Sequence, residues 1–440
     1  MSKDKKRIYK PKPISGFPEW LPEYRAVEQQ WMDKIRAVFE SYGYASIETP
    51  SVEELEVIAA KGEDVDKEIY VLERLQADPD EKKGARLGLH FDQTVPFARY
   101  VAQHFGDLTF PFKRYQMQKV WRGERPQMGR MREFYQCDID VINVDNLPIH
   151  FDAEVASVVY ETLESLDIGR VQLRISNRKI LLGYLETINH EFPERILRAI
   201  DKFEKIGAEE VMKLLLEENL PPSTTNKIVS LIRTTDLGTI VPENKTMEEG
   251  LEELQFVLDQ LSHLPEHAAV ADLSIVRGLD YYTGTVYETQ LLDVPEFTGS
   301  VCSGGRYDDL AGNYINKHLP GVGISIGFTR LFDVLRQTEK IKPASKSPAH
   351  ILVALPSEDR REIATETART LRNRGYNVEL YHAPQKIGKQ IGYAEKKGIP
   401  YIWFPPFDDA KGDDNSAHEV KDMSSGDQSG ADPATWKPAQ

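Results

Sequence analysis

The sequence predicts an α+β protein: an antiparallel-sheet domain interrupted by a helical stretch and followed by a small α/β domain. Three observations carry this. Around 113–132 the residues alternate as two strands do on either side of a turn-like GERPQMG, which makes a long antiparallel hairpin. Over 187–266 the chain turns to Glu-, Leu- and Lys-rich segments with helical spacing, and strands return from 268. Beyond the linker-like EKIKPASKSP at 339–348, the strand-like HILVAL, NVELY and PYIWF alternate with helices over 359–374 and 386–397. That β-α-β-α-β order is the signature of a mostly parallel sheet.

With 440 residues, 40% of them hydrophobic, the chain has the length for two or three domains, each with its own core. Its 55 basic and 70 acidic residues leave a net charge of −15, which excludes a uniformly basic nucleic-acid binder but not a local basic patch. The cysteines, Cys137 and Cys302, are too few for a cysteine-rich zinc site or a disulfide framework and read as inert, partly buried thiols. The N-terminus lacks the apolar stretch of a secretory signal, and the longest apolar run, 351–355, is far short of a membrane span. A soluble, cytoplasmic protein is expected.

In chain order, residues 1–20 combine lysines with prolines and read as a flexible basic arm, a solvated tail rather than an RNA contact. Val27, Trp31, Ile35, Val38 and Tyr42 then recur at helical spacing, and Gly43 can end that helix. YASIETP follows as a strand stopped by Pro50, and 61–94 alternates strands and turns up to LGLHFDQTVPFARY. In the hairpin, seven basic residues face one acidic residue across 113–132, a local charge of +6 that suits phosphate. Asp152 is placed to cap a helix running to Leu166, and the strand RVQLRIS comes next. After the helical stretch, AAVADLSIV and TVYETQLL read as hairpin partners, and VCSGGRYDDL and LPGVGISIGFTRLFDVL close the domain. The acidic 407–440 is loop-like, with one strand at HEVKDM.

The P-loop pattern is absent. GVGISIG has the wrong glycine spacing for a dinucleotide fingerprint, and the acidic residue that would bind the ribose is missing. Its close glycines would instead let a flat ring lie on the backbone, with Arg330 stacked above. Arg122, Arg130, Arg132, Arg277, Arg306 and Arg330 fall in sheet- or turn-rich segments and offer the planar fork that grips phosphate. Asp92, Glu133, Asp138, Asp140, Asp280 and Glu288 supply carboxylates for an amine or a metal. The same set equally suits structural ion pairs. In RGLDYYTGTVYE, neighbouring tyrosines on a strand face opposite ways, so only one can line a given pocket. A tyrosine hydroxyl and a carboxylate can together hold both nitrogens of a small ring.

These segments resemble the histidyl-tRNA synthetases, a family of class II aminoacyl-tRNA synthetases, over nearly the whole chain. IETPSVE is similar to motif 1, VWRGERPQMGRMREFYQCDID to motif 2 and GVGISIGFTRL to motif 3, while RGLDYYTGTVYE and VCSGGRYDDL resemble the two histidine signatures. The resemblance implies a class II antiparallel-sheet catalytic domain over 21–340, with the helical insertion 187–266, and an anticodon-binding α/β domain over 349–440. It further implies a homodimer built on motif 1, and the substrates ATP with Mg²⁺, L-histidine and tRNA(His).

By the same resemblance, Arg122 would hold the ATP α-phosphate and the histidine carboxylate, Arg277 would sit against the α-phosphate, and Arg330 would stack on adenine or grip the distal phosphates. Asp92, Thr94 and Gln136 would bind the α-amino group, and Asp140 and Tyr282 the imidazole, with Tyr281 beside them. Arg125 and Gln127 would approach the tRNA acceptor end. His90 and Gln93 stand where many relatives have arginine and leucine, a departure that bears on packing. The tRNA patches are expected in motif 2, the insertion and the Lys386–Lys397 face. Adenylate formation and transfer need no protein nucleophile, only positioning and charge stabilisation. The alternative is a non-catalytic paralogue that senses histidine as a regulatory subunit of ATP phosphoribosyltransferase; such paralogues lack the anticodon-binding domain.

Overall fold

The computed structural model describes residues 9–58, 68–75, 86–188, 190, 193–276, 282–312, 314–406 and 417–438. Two compact units emerge: Met1–Glu19 with Met32–Ile341, and Trp20–Trp31 with Lys342–Gln440.

In the first unit, among the described residues, one sheet carries eight strands in the order β1-β5-β6-β11-β10-β9-β7-β8. These are β1 (Ala45–Ser46), β5 (Phe112–Trp121), β6 (Glu133–Ile142), β7 (Val171–Asn177), β8 (Ala269–Ala271), β9 (Tyr282–Leu291), β10 (Cys302–Tyr307) and β11 (Gly321–Ile326). β2 (Val52–Glu54), β3 (Val71–Leu72) and β4 (Leu87–Leu89) form a small second sheet. The predicted hairpin is β5–β6, paired without a break from Phe112↔Ile142 to Trp121↔Glu133.

Alternation sorts its residues. Cys137, Ile139 and Val141 of β6 and Val322, Ile324 and Ile326 of β11 are fully buried on one face, where helices His150–Ser165 and Phe328–Gln337 pack. Gln136, Asp138 and Asp140 take the other face. Fully burying each such aliphatic side chain contributes about 1.5–3 kcal/mol, so the register is fixed: a one-residue slip would exchange the two faces.

Two expectations are corrected here. AAVADLSIV and TVYETQLL are not hairpin partners: β8 pairs in parallel with β7, and β9 lies between β7 and β10. The insertion separates β8 from β7 in sequence, so β8 returns to the sheet's outer edge. Asp152 is not an N-cap. The helix starts at His150, and Asp152, fully buried in its first turn, receives the Arg306 guanidinium, with Nη2 at 2.5 Å. Within the segment expected as an arm, the Gly16 carbonyl accepts from the amides of Arg132 at 2.8 Å and Glu133 at 3.1 Å.

The insertion is helical through Pro193–Ile200, Phe203–Glu217, Pro222–Arg233 and Lys245–Gln260. The last of these opens on an Asn244 cap whose side chain accepts from the Met247 amide at 2.9 Å.

The second unit holds a five-stranded sheet, β13-β12-β14-β15-β16, among its described residues. β12 (Ile351–Val353), β13 (Val378–Leu380) and β14 (Tyr401–Phe404) are parallel, and β15 (Glu419–Asp422) and β16 (Gln428–Gly430) add an antiparallel edge. The second of these edge strands has no counterpart in the sequence reading, because its QSG lacks the alternation that marks a strand. Helix Ile387–Lys397 ends at Gly398, whose φ of +69° reverses the chain. On the predicted lysine face, Lys397 is already committed to Glu379, 2.9 Å away.

Candidate active site

The polar face of β5, β6, β11 and β10 forms one continuous floor. Gly323 pairs with Asp140 and Ser325 with Asp138. Across β10, Tyr307 pairs with Gly321 and Gly305 with Gly323. A Cβ at Gly323 would come within 2.1 Å of Asp140 Oδ1, and one at Gly321 within 2.4 Å of the Tyr307 ring. The GVG glycines thus make room for a carboxylate and a phenol of the protein itself. Gly321 and Gly323 are therefore not bare backbone for a ligand ring, while Gly327 of the same motif lines the pocket with Arg330.

Asp140 is the hub of this floor. Its Oδ2 lies 2.5 Å from Arg114 Nη2, and its Oδ1 accepts from the Tyr307 hydroxyl at 3.1 Å. Arg114 is fully buried and also lies over the Phe97 ring, 4.3 Å from its centroid. Burial pushes the Asp140 carboxyl up to about 6 against the opposing pull of Arg114, and Asp92 adds to the rise. Asp138 is pushed up to about 7, again chiefly by burial, with Arg114 and Ser325 opposing.

Tyr282 opens β9 opposite Tyr307, where the β9–β10 register shifts. Its ring lies where a Cβ on Gly305 would approach to 2.9 Å. Tyr282 and Asp140 therefore flank Tyr307, which the sequence reading did not single out. Its signal was present in GGRYD: Arg306 turns back to Asp152, so alternation sends Tyr307 to the floor. By the same token Arg306 is a structural ion-pair partner and not a phosphate ligand, a correction to its grouping with the other arginines.

At the other end of β6, Gln136 Nε2 donates to Ser325 Oγ at 2.8 Å while its Oε1 is buried without a hydrogen-bond partner. Asp92 Oδ1 accepts from the Val95 amide at 3.1 Å and so holds the first turn of helix Thr94–Gln103. Its Oδ2 is likewise buried and unsatisfied. Two acceptors of this kind suit an ammonium, which brings three donors.

Gln93 ties the two segments together, its Nε2 donating to the carbonyls of Gln118 at 2.9 Å and Gln136 at 3.1 Å. His90 is also fully buried, its Nε2 2.7 Å from the Lys119 carbonyl oxygen. Both departures from the family pattern thus serve the joint between the DQT segment and the hairpin.

Next to Gln136 and Ser325 a pocket opens, lined by Arg122, Arg130, Arg330, Phe134 and Ser300. Arg122 Nε donates to the Phe91 carbonyl at 3.1 Å, and its guanidinium lies 5.2 Å from the Phe134 centroid. Arg330 is held by the carbonyls of Gly129 at 2.8 Å and Ser300 at 2.9 Å. Burial and the nearby Arg122 and Arg130 lower its pKa, the mark of converging positive charge. Thr94 begins its helix, and Arg125 and Gln127 are exposed on the hairpin turn. Arg277 and Tyr281 lie outside the described residues, as does Asp280.

A polar floor running into a cationic pocket, framed by a largely antiparallel sheet, is the plan of a class II aminoacyl-tRNA synthetase. A family model described as Histidyl-tRNA synthetase matches residues 16–331, and one described as Anticodon binding domain matches 350–431. The histidine–tRNA ligase of Thermobifida fusca (strain YX) is 54% identical, covering 98% of this chain and 99% of that protein. The crystal structure of histidyl-tRNA synthetase from Nostoc sp. PCC 7120 matches with a TM-score of 0.86 at 38% identity, over 97% of each chain. A Bacillus halodurans C protein described as an ATP phosphoribosyltransferase regulatory subunit/histidyl-tRNA synthetase matches with a TM-score of 0.71 at 22% identity, over 85% of this chain and 93% of that one. That likeness is one of fold. The chain belongs to the histidyl-tRNA synthetase family.

Proposed function

We propose that this chain is a histidine–tRNA ligase that activates L-histidine with ATP and transfers it to the 3′ end of tRNA(His), acting in the cytoplasm as a homodimer. The observation that carries this reading is the shared edge of the two sites. Gln136 and Ser325 belong both to the polar floor and to the arginine pocket, so an amino acid lying on the floor presents its carboxylate to a nucleotide in the pocket.

In this reading Asp92 Oδ2, Gln136 Oε1 and Thr94 receive the α-ammonium. Asp140 and Tyr282 hold the imidazole, with Tyr281 beside them. The carboxylate oxygen attacks the α-phosphorus, the new P–O bond displaces pyrophosphate, and Arg122 and Arg277 balance the charge that develops there. Arg330 takes adenine or the distal phosphates. The terminal ribose hydroxyl of tRNA then attacks the acyl carbon and AMP leaves, with Arg125 and Gln127 near the acceptor end. Among the described residues no group of three or more His, Cys, Asp or Glu side chains converges to hold a metal. Mg²⁺ is assigned to the nucleotide, as MgATP. The catalytic domain is 21–340 with its insertion at 187–266, and residues 349–440 read the anticodon.

A histidine-sensing regulatory role is disfavoured by the anticodon-binding match over 350–431 and by the retained Arg122 and Arg330 in the pocket. ATP–pyrophosphate exchange, run with each of the twenty amino acids, tests the reading. Exchange with histidine alone is expected; histidine binding without exchange would favour the regulatory role.

A further inference from the structure

The tip of the β5–β6 hairpin is held by the helix Phe328–Gln337. The turn closes between Gln127 and Arg130, N to O at 3.0 Å and 2.8 Å, with Gly129 at a φ of +69°. Both polar backbone groups of Gly129 are taken by that helix. Its carbonyl accepts from Arg330 Nε at 2.8 Å, and its amide donates to Asp333 Oδ2 at 3.3 Å. A Cβ on Gly129 would press on Phe297, Arg330 and Val334 at 3.1–3.2 Å.

Asp333 is 1% exposed, and its other donors come from its own helix: Arg336 Nη2 at 3.0 Å and Gln337 Nε2 at 2.6 Å. A carboxylate is expensive to bury unless donors surround it. Among the described residues, the donor to Asp333 from another element is the Gly129 amide.

We propose that Asp333 is a positioning residue for the nucleotide. By holding Gly129 it sets the turn 127–130 against Arg330 and fixes the direction in which the Arg330 guanidinium meets ATP. Arg330 needs such anchoring because Arg122 and Arg130 share its pocket and like charges spread apart when free to move. Without Asp333 the Gly129 amide is released, the turn shifts, and Arg330 loses one of its two carbonyl anchors. This deepens the ligase reading and rests on it.

Equilibrium binding of MgATP to the full chain, together with exchange kinetics and thermal melting, tests the proposal on Asp333→Leu, Asp333→Asn and Gln337→Ala. Asp333→Leu is expected to weaken MgATP binding and raise the KM for ATP roughly tenfold, the scale of a lost charge-assisted hydrogen bond, while the KM for histidine stays within about twofold. Asp333→Asn keeps an oxygen for the Gly129 amide and should recover most of the ATP affinity. Gln337→Ala, which removes a donor to the same Asp333 oxygen, should weaken MgATP binding in the same direction but less.

Unaltered MgATP binding by a folded Asp333→Leu variant overturns the proposal, and so does a parallel rise in both KM values. Should Asp333→Leu not fold, Gly129→Ala disturbs the same contact from the turn and must show the same split between ATP and histidine; equal effects overturn it. Wild-type protein that binds MgATP but shows no exchange with histidine would overturn the ligase reading, while the binding comparison still decides the role of Asp333.

Discussion

The two halves of the active site are built differently. The floor proposed for the amino acid is made of strand residues locked pairwise, Asp140 between Arg114 and Tyr307 and Gln136 on Ser325. The pocket proposed for the nucleotide is made of a turn and a helix start, and its arginines hold on to backbone carbonyls. Strand residues in register have few ways to rearrange, which suits discrimination between similar side chains. Carbonyl-anchored arginines keep further N–H donors for phosphate oxygens and can follow a charge that moves during the reaction. On the proposed reading, specificity and chemistry fall to structures of different stiffness.

The sharpest way to break this comparison is Arg122→Ala. Histidine-dependent exchange should fall by on the order of 10²–10³ with little change in melting temperature. A variant that loses its fold instead would mean the pocket arginines are structural after all.

On the floor, Asp140→Asn should do the opposite. It leaves the buried Arg114 charge without its counter-ion, which typically costs about 3–5 kcal/mol of stability. It should also raise the KM for histidine far more than that for ATP. In the wild-type protein, kcat/KM for histidine should fall as the pH drops through about 6, where Asp140 takes up its proton. An acid limb that persists unchanged in the variant would assign that titration to the substrate's own imidazole.

A smaller effect sharpens the picture through Asp138. Its carboxyl is raised from an ordinary 3.8 to about 7, so the unfolded chain gives up this proton at lower pH than the folded one. Its contribution to stability is therefore full below pH 4 and is lost as the pH rises through about 7. Asp138→Asn should flatten that part of the pH dependence of the denaturation midpoint; an identical slope would remove Asp138 from the account.

How far the sequence carries depends on the distance between partners. The β5–β6 hairpin was legible because its alternation and its turn are local, and so was the helical character of the insertion. The pairing of Arg114 with Asp140 could have been suspected from Q-C-D-I-D-V, where polar residues alternate with buried ones. Its third member, Tyr307, lies 167 residues from Asp140 and reaches it only because β11 inserts between β6 and β10. Arg306 was misread for the same reason, since its partner Asp152 lies 154 residues away on a helix behind the sheet. The hold of Asp333 on Gly129 spans 204 residues and left no trace in any local pattern.

The glycines of β11 set a limit on how this pocket can be redesigned. Where a cavity is shaped by side chains, trading a large residue for a small one widens it. Here Gly321 and Gly323 already carry nothing, and what occupies the vacated space is Tyr307 and Asp140. At these two positions any added atom displaces Tyr307 or Asp140, and none is left to remove. Altered amino-acid selectivity must therefore be sought elsewhere on the floor, with Gly321 and Gly323 kept as they are.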